Sequence, residues 1–286
     1  MAFSSLLGSV EGQNRYKIWY DKPASYWEEA LPIGNGRIAA MVFGDPQLEQ
    51  IQLNEETVSA GSPYQNYNEE AKAALPEMRR LIFEGKYEEA QNMAATKILS
   101  QVGNEMPYQT VGRLNIRYQD HKKVSNYYRD LDISNAMTVT RYKVDGVEFT
   151  EETFASFTDQ LVIRHIKSSK PGAINCELFF NTPMRDPKRS IYGKKGLRLE
   201  GITHGSRYFP GKVHYCADLD VKNKGGEVTM ANDTLLSVQG ASELTLYISM
   251  ATNFVNYKDI SGDPYQRNKT YLKNAEKEYD KAKAAI

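Results

Sequence analysis

The stretch LPIGNGRIAAMVFG, residues 31–44, decides between two fold classes. Gly34, Gly36 and Ala39 spell G-x-G-x-x-A, the glycine pattern of a dinucleotide-binding turn. That turn needs a helix opening at the third small residue and an acidic residue about 20 positions further on. The glycines instead lead into Arg37-Ile38-Ala39-Ala40-Met41-Val42-Phe43, a β-branched and aromatic run that closes at Gly44. No helix N-terminus is offered to a pyrophosphate. The stretch reads as a tight turn at Gly34-Asn35-Gly36 that sends the chain back along a second strand.

Outward from this hairpin the period is two. YKIWYD (16–21) reads as a strand, as does QLEQIQLN (47–54), with Leu48, Ile51 and Leu53 as its apolar positions. Residues 68–100 change texture: Ala, Glu, Lys and Leu recur at helical spacing. Asn68 opens a helix there and Gly85 divides the stretch in two, the second helix carrying Tyr87, Ala90, Met93 and Ala94 on one face. From about residue 108 strands return. MTVTRYKV, Asp145-Gly146 and VEFTEETFAS form a hairpin signal. QLVIRHIKSS, AINCELFFNT, KVHYCADLDVKN, EVTMAN, TLLSVQG and ELTLYISMATNF come next, joined by short turns at Pro171-Gly172, Gly225-Gly226 and Asn232-Asp233. Strands without alternating helices give an antiparallel sandwich and not a parallel α/β sheet. Residues 183–212, dense in Gly, Arg and Lys, read as long loops at one end. The tail from 268 to 286 reads as a helix with Tyr271, Leu272, Ala275, Tyr279 and Ala282 in one apolar stripe. Such a stripe folds back on the sandwich or leads into a further domain.

Composition narrows the function. The 286 residues carry 36 Lys and Arg against 36 Asp and Glu, a formal net charge of +0. A balanced chain lacks the basic footprint of a nucleic-acid binder or of a protein held on anionic lipid, so neither nucleic acid nor membrane is an expected partner. No apolar run reaches the roughly 20 residues that span a bilayer. Cys176 and Cys216 lie in apolar strands with no C-x-x-C spacing; a buried free thiol is the simpler reading and one disulfide the other. His121, His165, His204 and His214 fit no metal template, and no metal or cofactor is expected. Residues 1–15 read as a disordered lead-in or the remnant of a signal peptide, giving a periplasmic or secreted location.

Catalytic signatures are sparse. Glu28 and Glu29 follow Trp27, and Glu55 and Glu56 follow Asn54. Paired carboxylates beside an aromatic suit glycosidic hydrolysis. Neighbours in an extended strand point to opposite faces, however, so neither doublet is itself an acid–base pair. No G-x-S-x-G elbow is present. A sugar epimerase would need a strand histidine such as His165 or His214 converging with a carboxylate.

Five blocks, WEEALPIGNGRIAAMVFG (27–44), EQIQLNEETVSAGSPYQNYN (49–68), YQTVGRLNI (108–116), YYRDLDISNA (127–136) and ETFASFTDQLVIRHI (152–166), resemble in order and spacing the N-terminal domain of glycoside hydrolase family 95, the α-L-fucosidases and related α-L-galactosidases. The resemblance covers about residues 16–260. It implies a mainly β fold, an antiparallel β-supersandwich of the galactose-mutarotase-like kind, with a two-helix insertion and a C-terminal linker helix. The expected domains are the lead-in 1–15, the sandwich 16–262 and a helical linker 263–286 toward an (α/α)6 barrel beyond this sequence. The family inverts at the anomeric carbon with residues of that barrel, so no catalytic residue carries over to this chain. The implied partners are the chain's own catalytic barrel domain and the oligosaccharide substrate of the full-length enzyme. Candidates for the barrel interface or the cleft rim are Trp27, Asn35, Arg37, Asn54, Glu55 and Ser62. The sequence departs from the family at Ser59, where a Trp is usual, which weakens the rim and interface inference there, and mildly at Ala39, where a Gly is usual. A free-standing sandwich that binds carbohydrate or protein, and a mutarotase-like enzyme in its own right, are the alternatives.

Overall fold

The computed structural model describes residues 16–100, 106–205, 209–276 and 279–284; the lead-in reading of 1–15 lies outside them. In chain order the strands are β1 (Lys17–Tyr20), β2 (Leu31–Gly34), β3 (Ile38–Val42), β4 (Leu48–Glu55), β5 (Gly112–Tyr118), β6 (Val124–Asp132), β7 (Met137–Val144), β8 (Val147–Ser156), β9 (Leu161–Ser168), β10 (Ile174–Asn181), β11 (Arg185–Tyr192), β12 (Gly196–Ile202), β13 (His214–Lys224), β14 (Glu227–Asn232), β15 (Leu235–Ala241) and β16 (Glu243–Thr252). They form two antiparallel sheets. One has nine strands in the order β1-β6-β7-β8-β9-β16-β13-β12-β11, the other seven in the order β14-β15-β10-β5-β4-β3-β2. The mainly β supersandwich expected from the sequence is the observed fold.

The turns explain the hairpins. Asp145 and Gly146 have φ of 47° and 81°, the left-handed pair that matches strand twist in a two-residue connection. Gly36, at φ 95°, lets β2 reverse into β3, and β3 runs on with no helix between it and β4. Inward positions from both sheets make the main core, including Ile51, Leu53, Leu114, Ile116, Val162, Ile166, Leu178, Leu236, Leu246 and Ile248. In β4 the buried set is Glu49, Ile51, Leu53 and Glu55, so Leu48 sits on the opposite face from the Ile51 and Leu53 with which the sequence pattern grouped it.

Two segments differ from expectation. Residues 183–212 are not all loop: β11 and β12 form a hairpin at the edge of the nine-stranded sheet. Every residue of β11 from Arg185 to Ser190 is exposed, so no apolar alternation marks it, and Pro187 is tolerated because the strand is an edge. The Glu28–Glu29 doublet is a 3-10 turn, Trp27–Glu29, and not extended strand.

The insertion is two helices, α1 (Ala71–Phe83) and α2 (Tyr87–Met93), the latter continued by a π-helical turn to Ile98. Gly85, at φ 77°, divides them. Ala90 is buried whereas Tyr87 is exposed, so the expected face of α2 is only partly used. The C-terminal helix α3 (Pro264–Leu272) begins four residues before residue 268, where the tail helix was expected to start, and lies within the 263–286 linker. Asp263 caps it by accepting from the backbone N–H of Tyr265 and Gln266, with Pro264 at the first position. A 3-10 turn (Lys273–Glu276) and α4 (Tyr279–Lys283) complete the tail. Leu272, Ala275 and Ala282 close a second core with Phe154, Leu161, Ile163 and Tyr247 on the outer face of the nine-stranded sheet, flanked by Tyr271 and Tyr279. The stripe therefore folds back on the sandwich.

Candidate functional site

The β2–β3 turn is built from its own side chains. Asn35 Oδ1 accepts from the backbone N–H of Arg37 at 3.1 Å and of Ile38 at 2.9 Å, satisfying two donors that the reversal would otherwise orphan. Its Nδ2 donates at 2.8 Å to the carbonyl of Ser156, at the end of β8 in the other sheet. Arg37 reaches further across. Its guanidinium donates to Gln160 Oε1 at 2.6 Å, to the Met250 carbonyl at 2.8 Å and to Glu55 Oε1 at 3.4 Å, and it stacks on the Tyr271 ring of α3 at 4.6 Å. Glu55 is buried and also accepts from the Thr57 backbone N–H and hydroxyl. Burial pushes its carboxyl up from the usual range, against the pull of Thr57 and of Arg37.

Beside this turn lies an open groove. One part, about 150 Å³, is lined by Gly34, Arg37, Asn54, Glu56 and Tyr108. It meets a larger recess of about 660 Å³ formed by Thr57, Ser59, Ser62, Tyr64, Phe254 and Tyr257, with Glu56 lining both. Glu55 and Glu56 alternate as a strand end requires, the first buried and the second exposed. Tyr108 donates to the Glu55 carbonyl, and burial with the neighbouring Glu55 and Glu56 charges pushes its phenol up to about 12.

Five of the six candidates thus gather at one end of the sandwich. Asn35, Arg37 and Glu55 are engaged in holding the two sheets and α3 together, while Asn54 and Ser62 line the groove. Trp27 is not among them: it sits on the 3-10 turn at the opposite end of β2. Pattern reading missed Tyr64, Phe254 and Tyr257, which lie in irregular segments with no periodicity to report their exposure.

The histidines on strands do not converge on a cavity with a carboxylate. His165 lies under α4, stacked on Tyr279 at 4.1 Å and paired with Thr245 Oγ1 at 2.9 Å, and burial lowers its basicity. Among the described residues no three His, Cys, Asp or Glu side chains are grouped to hold a metal ion. Cys176 and Cys216 are free and buried, the first in the core between the sheets, the second facing Asp218 and α3 on the outer side. Burial raises both thiols above the ordinary cysteine range, so neither is an activated nucleophile.

A second charged site, in mid-sandwich, was also missed. Arg164 of β9 is fully buried and donates to Thr153 Oγ1 at 2.8 Å, to Glu49 Oε2 of β4 at 3.0 Å, and to Glu151 of β8. Tyr142 donates to Glu151 Oε1 at 2.8 Å, as does Tyr118. Burial lifts the Glu49 carboxyl to about 7, opposed by Arg164 and aided by Glu151. The signal available was charge at inward positions of apolar strands: Arg164 shares its face of β9 with Val162 and Ile166.

The family model described as glycosyl hydrolase family 65, N-terminal domain, matches residues 18–257. The Arabidopsis thaliana protein named alpha-L-fucosidase 2 is 31% identical over 261 residues, a match that covers 83% of this chain and 30% of that protein. The Aspergillus oryzae protein named probable alpha-fucosidase A is 22% identical over 272 residues, covering 91% of this chain and 36% of the relative. The chain thus spans about a third of the length of these relatives. A solved chain from the human microbiome, assigned as a kojibiose phosphorylase, shares the fold at a TM-score of 0.50 with 9% identity, covering 94% of this chain and 37% of that one. No helix among the described residues is long and apolar enough to cross a membrane.

Proposed function

The chain belongs to the glycosyl hydrolase family 65 N-terminal-domain family and is the N-terminal domain of a glycoside hydrolase related to α-fucosidases; from that premise we propose that it is the non-catalytic sandwich of an inverting α-L-fucosidase-like enzyme. Its own catalytic barrel is the proposed partner, and a terminal α-L-fucosyl glycan is the proposed substrate of the whole. The observation that carries this reading is the contrast at the β2–β3 end. The signature polar residues Asn35, Arg37 and Glu55 bond within the chain, so they are not presented to substrate as an acid and a base. The aromatic recess beside them, with Phe254 and Tyr257, stays open. About two thirds of each relative lies outside the match, which supplies an occupant for that recess.

The test is turnover of 4-nitrophenyl α-L-fucoside by this chain alone and after mixing with the separately expressed remainder of its parent reading frame. The expected result is no turnover alone and reconstitution on mixing, weakened by Tyr257→Ala. Turnover by the chain alone that Glu56→Gln abolishes would overturn the reading. The reading of residues 1–15 as a signal remnant adds a periplasmic or secreted location to this proposal. Cell fractionation tests this, and a wholly cytoplasmic pool counts against it.

A further inference from the structure

We propose a second carbohydrate-binding site on the outer face of the seven-stranded sheet, remote from the β2–β3 turn, in which Tyr26 and Trp27 stack on the sugar and Gln50, Arg113 and Asp45 bind its hydroxyls. These residues line a recess of about 550 Å³, within the range of small-ligand sites. The ligand class, a neutral oligosaccharide, rests on the proposed glycoside hydrolase function; the existence of the site rests on the geometry.

The rim is held in place. Arg129 is fully buried, yet its guanidinium serves the backbone of an exposed loop, donating at 2.8 Å to the carbonyl of Lys22 and at 2.8 Å to that of Glu29. It also packs over the Tyr20 ring at 4.3 Å. Between those two anchor points the backbone N–H of Ala24 donates to Phe43, that of Ser25 donates to Glu29 Oε2, and Ala24, Ala30 and Phe43 form a small apolar knot. Within this pinned loop Tyr26 and Trp27 remain 57% and 50% exposed. Large aromatics left in water on a backbone that cannot collapse over them are preorganised contact area, which lowers the ordering cost of binding.

The floor is polar and belongs to the sheet. Gln50 of β4 and Arg113 of β5 point away from the core, on the face opposite Ile51 and Leu114, and Arg113 donates to Gln50 Oε1 at 2.8 Å. Asp45 stands at the side, its Oδ1 accepting from the backbone N–H of Gln47 and Leu48. Lys22 pairs with Glu29 at 3.8 Å, and Asp45 lines the recess together with Arg113, so the recess does not select an anion. Aromatic rings for the C–H face of a pyranose, with a planar fork, an amide and a carboxylate for vicinal hydroxyls, fit a neutral sugar.

The chain has only two tryptophans, so Trp19→Phe leaves Trp27 as the sole tryptophan, read by exciting at the red edge where tyrosine does not absorb. This variant is titrated with 2′-fucosyllactose, a xyloglucan heptasaccharide and cellotetraose, with trigalacturonate as the acidic control. The expected result is a saturable change with at least one neutral probe. Tyr26→Ala and Arg113→Ala, both at exposed positions, are each expected to weaken it about tenfold, equivalent to ~1.4 kcal/mol, with melting temperatures unchanged. Tyr257→Ala is expected to leave it alone. The proposal falls if no neutral probe saturates up to its solubility limit, if trigalacturonate binds more tightly than every neutral probe, or if Tyr257→Ala weakens binding as much as Tyr26→Ala. Fucoside turnover by the reconstituted enzyme is read in parallel. Binding without turnover removes the hydrolase reading alone, and turnover without binding removes this site alone.

Discussion

Arg164 and Arg37 both tie one sheet to the other, and they do so in opposite surroundings. Arg164 reaches from the nine-stranded sheet to Glu49 of the seven-stranded one with both side chains at 0% exposure. Arg37 reaches the other way, from the β2–β3 turn to Gln160 and Met250, with its side chain 19% exposed. In the sealed site two carboxylates face one guanidinium, and water offers no substitute if the cation is lost. At the end site the arginine mostly binds neutral acceptors, and solvent stands close by. The first arrangement makes the sandwich conditional on a charge balance; the second positions a turn and a helix.

Removing each arginine separates these roles. Arg164→Met leaves Glu49 and Glu151 buried without their cation, a loss of about 3–5 kcal/mol, read as the shift of the urea midpoint or as failure to fold. Arg164→Met combined with Glu49→Gln and Glu151→Gln should recover part of that loss. No recovery would mean that the guanidinium acts through packing. Arg37→Ala deletes charge-assisted bonds worth about 1.5–3 kcal/mol. Hydrogen exchange should show α3 losing protection while β4 and β9 keep theirs. Equal loss in β9 would show that the two sites do not act separately.

The same contrast explains what pattern reading could see. The β2–β3 turn was legible because Gly36 and the apolar run after it announce a strand reversal, and the C-terminal stripe because Leu272, Ala275 and Ala282 keep helical spacing. β11 was not legible: an edge strand with both faces in water has no reason to alternate. β12 offered a weak signal in Leu197 and Leu199 flanking Arg198, masked by the Gly and Lys around it. The Arg164 site was hidden for another reason. Alternation says which face a residue takes, and only the structure shows that Glu49, Glu151 and Arg164 face each other across the gap. The open recesses depend on loops such as 22–30 and 253–260, whose shape comes from long-range bonds to Arg129 and Arg267.

Acidity probes the sealed site with a smaller effect. Burial lifts the Glu49 carboxyl from 4.5 to about 7 in the folded chain. Between those values the folded state keeps a proton that the unfolded chain has released, so this group's contribution to stability falls as pH rises through the window. Glu49→Gln removes that dependence. The stability difference, wild type minus variant, should therefore decrease between about pH 5 and about pH 8 in paired denaturant titrations. An unchanged difference would mean that Glu49 is ionised throughout, with Arg164 fully compensating it.

The smallest effect asks whether polar contact or apolar burial docks the C-terminal helices. Lys283 Nζ lies 2.7 Å from Glu152 Oε2, and Tyr279 donates to the same carboxylate. Burial works against the charged form of Glu152, but the Lys283 and Tyr279 hydrogen bonds outweigh it and hold the carboxyl below its ordinary value. The pair contributes stability above the unfolded carboxylate pKa and loses it as pH falls through the lower folded one. Lys283 is about a third exposed, so solvent screens it. Lys283→Ala should cost about 0.2–1 kcal/mol at neutral pH and less in acid, where Glu152 is protonated. Leu272→Ala, which opens the apolar core beneath α3, should cost about 2–3 kcal/mol at both. If the lysine variant loses as much as the leucine one, the helices are held by charge like the Arg164 site; if not, they are held by burial, with Arg37 stacked on Tyr271 of α3 as a further contact.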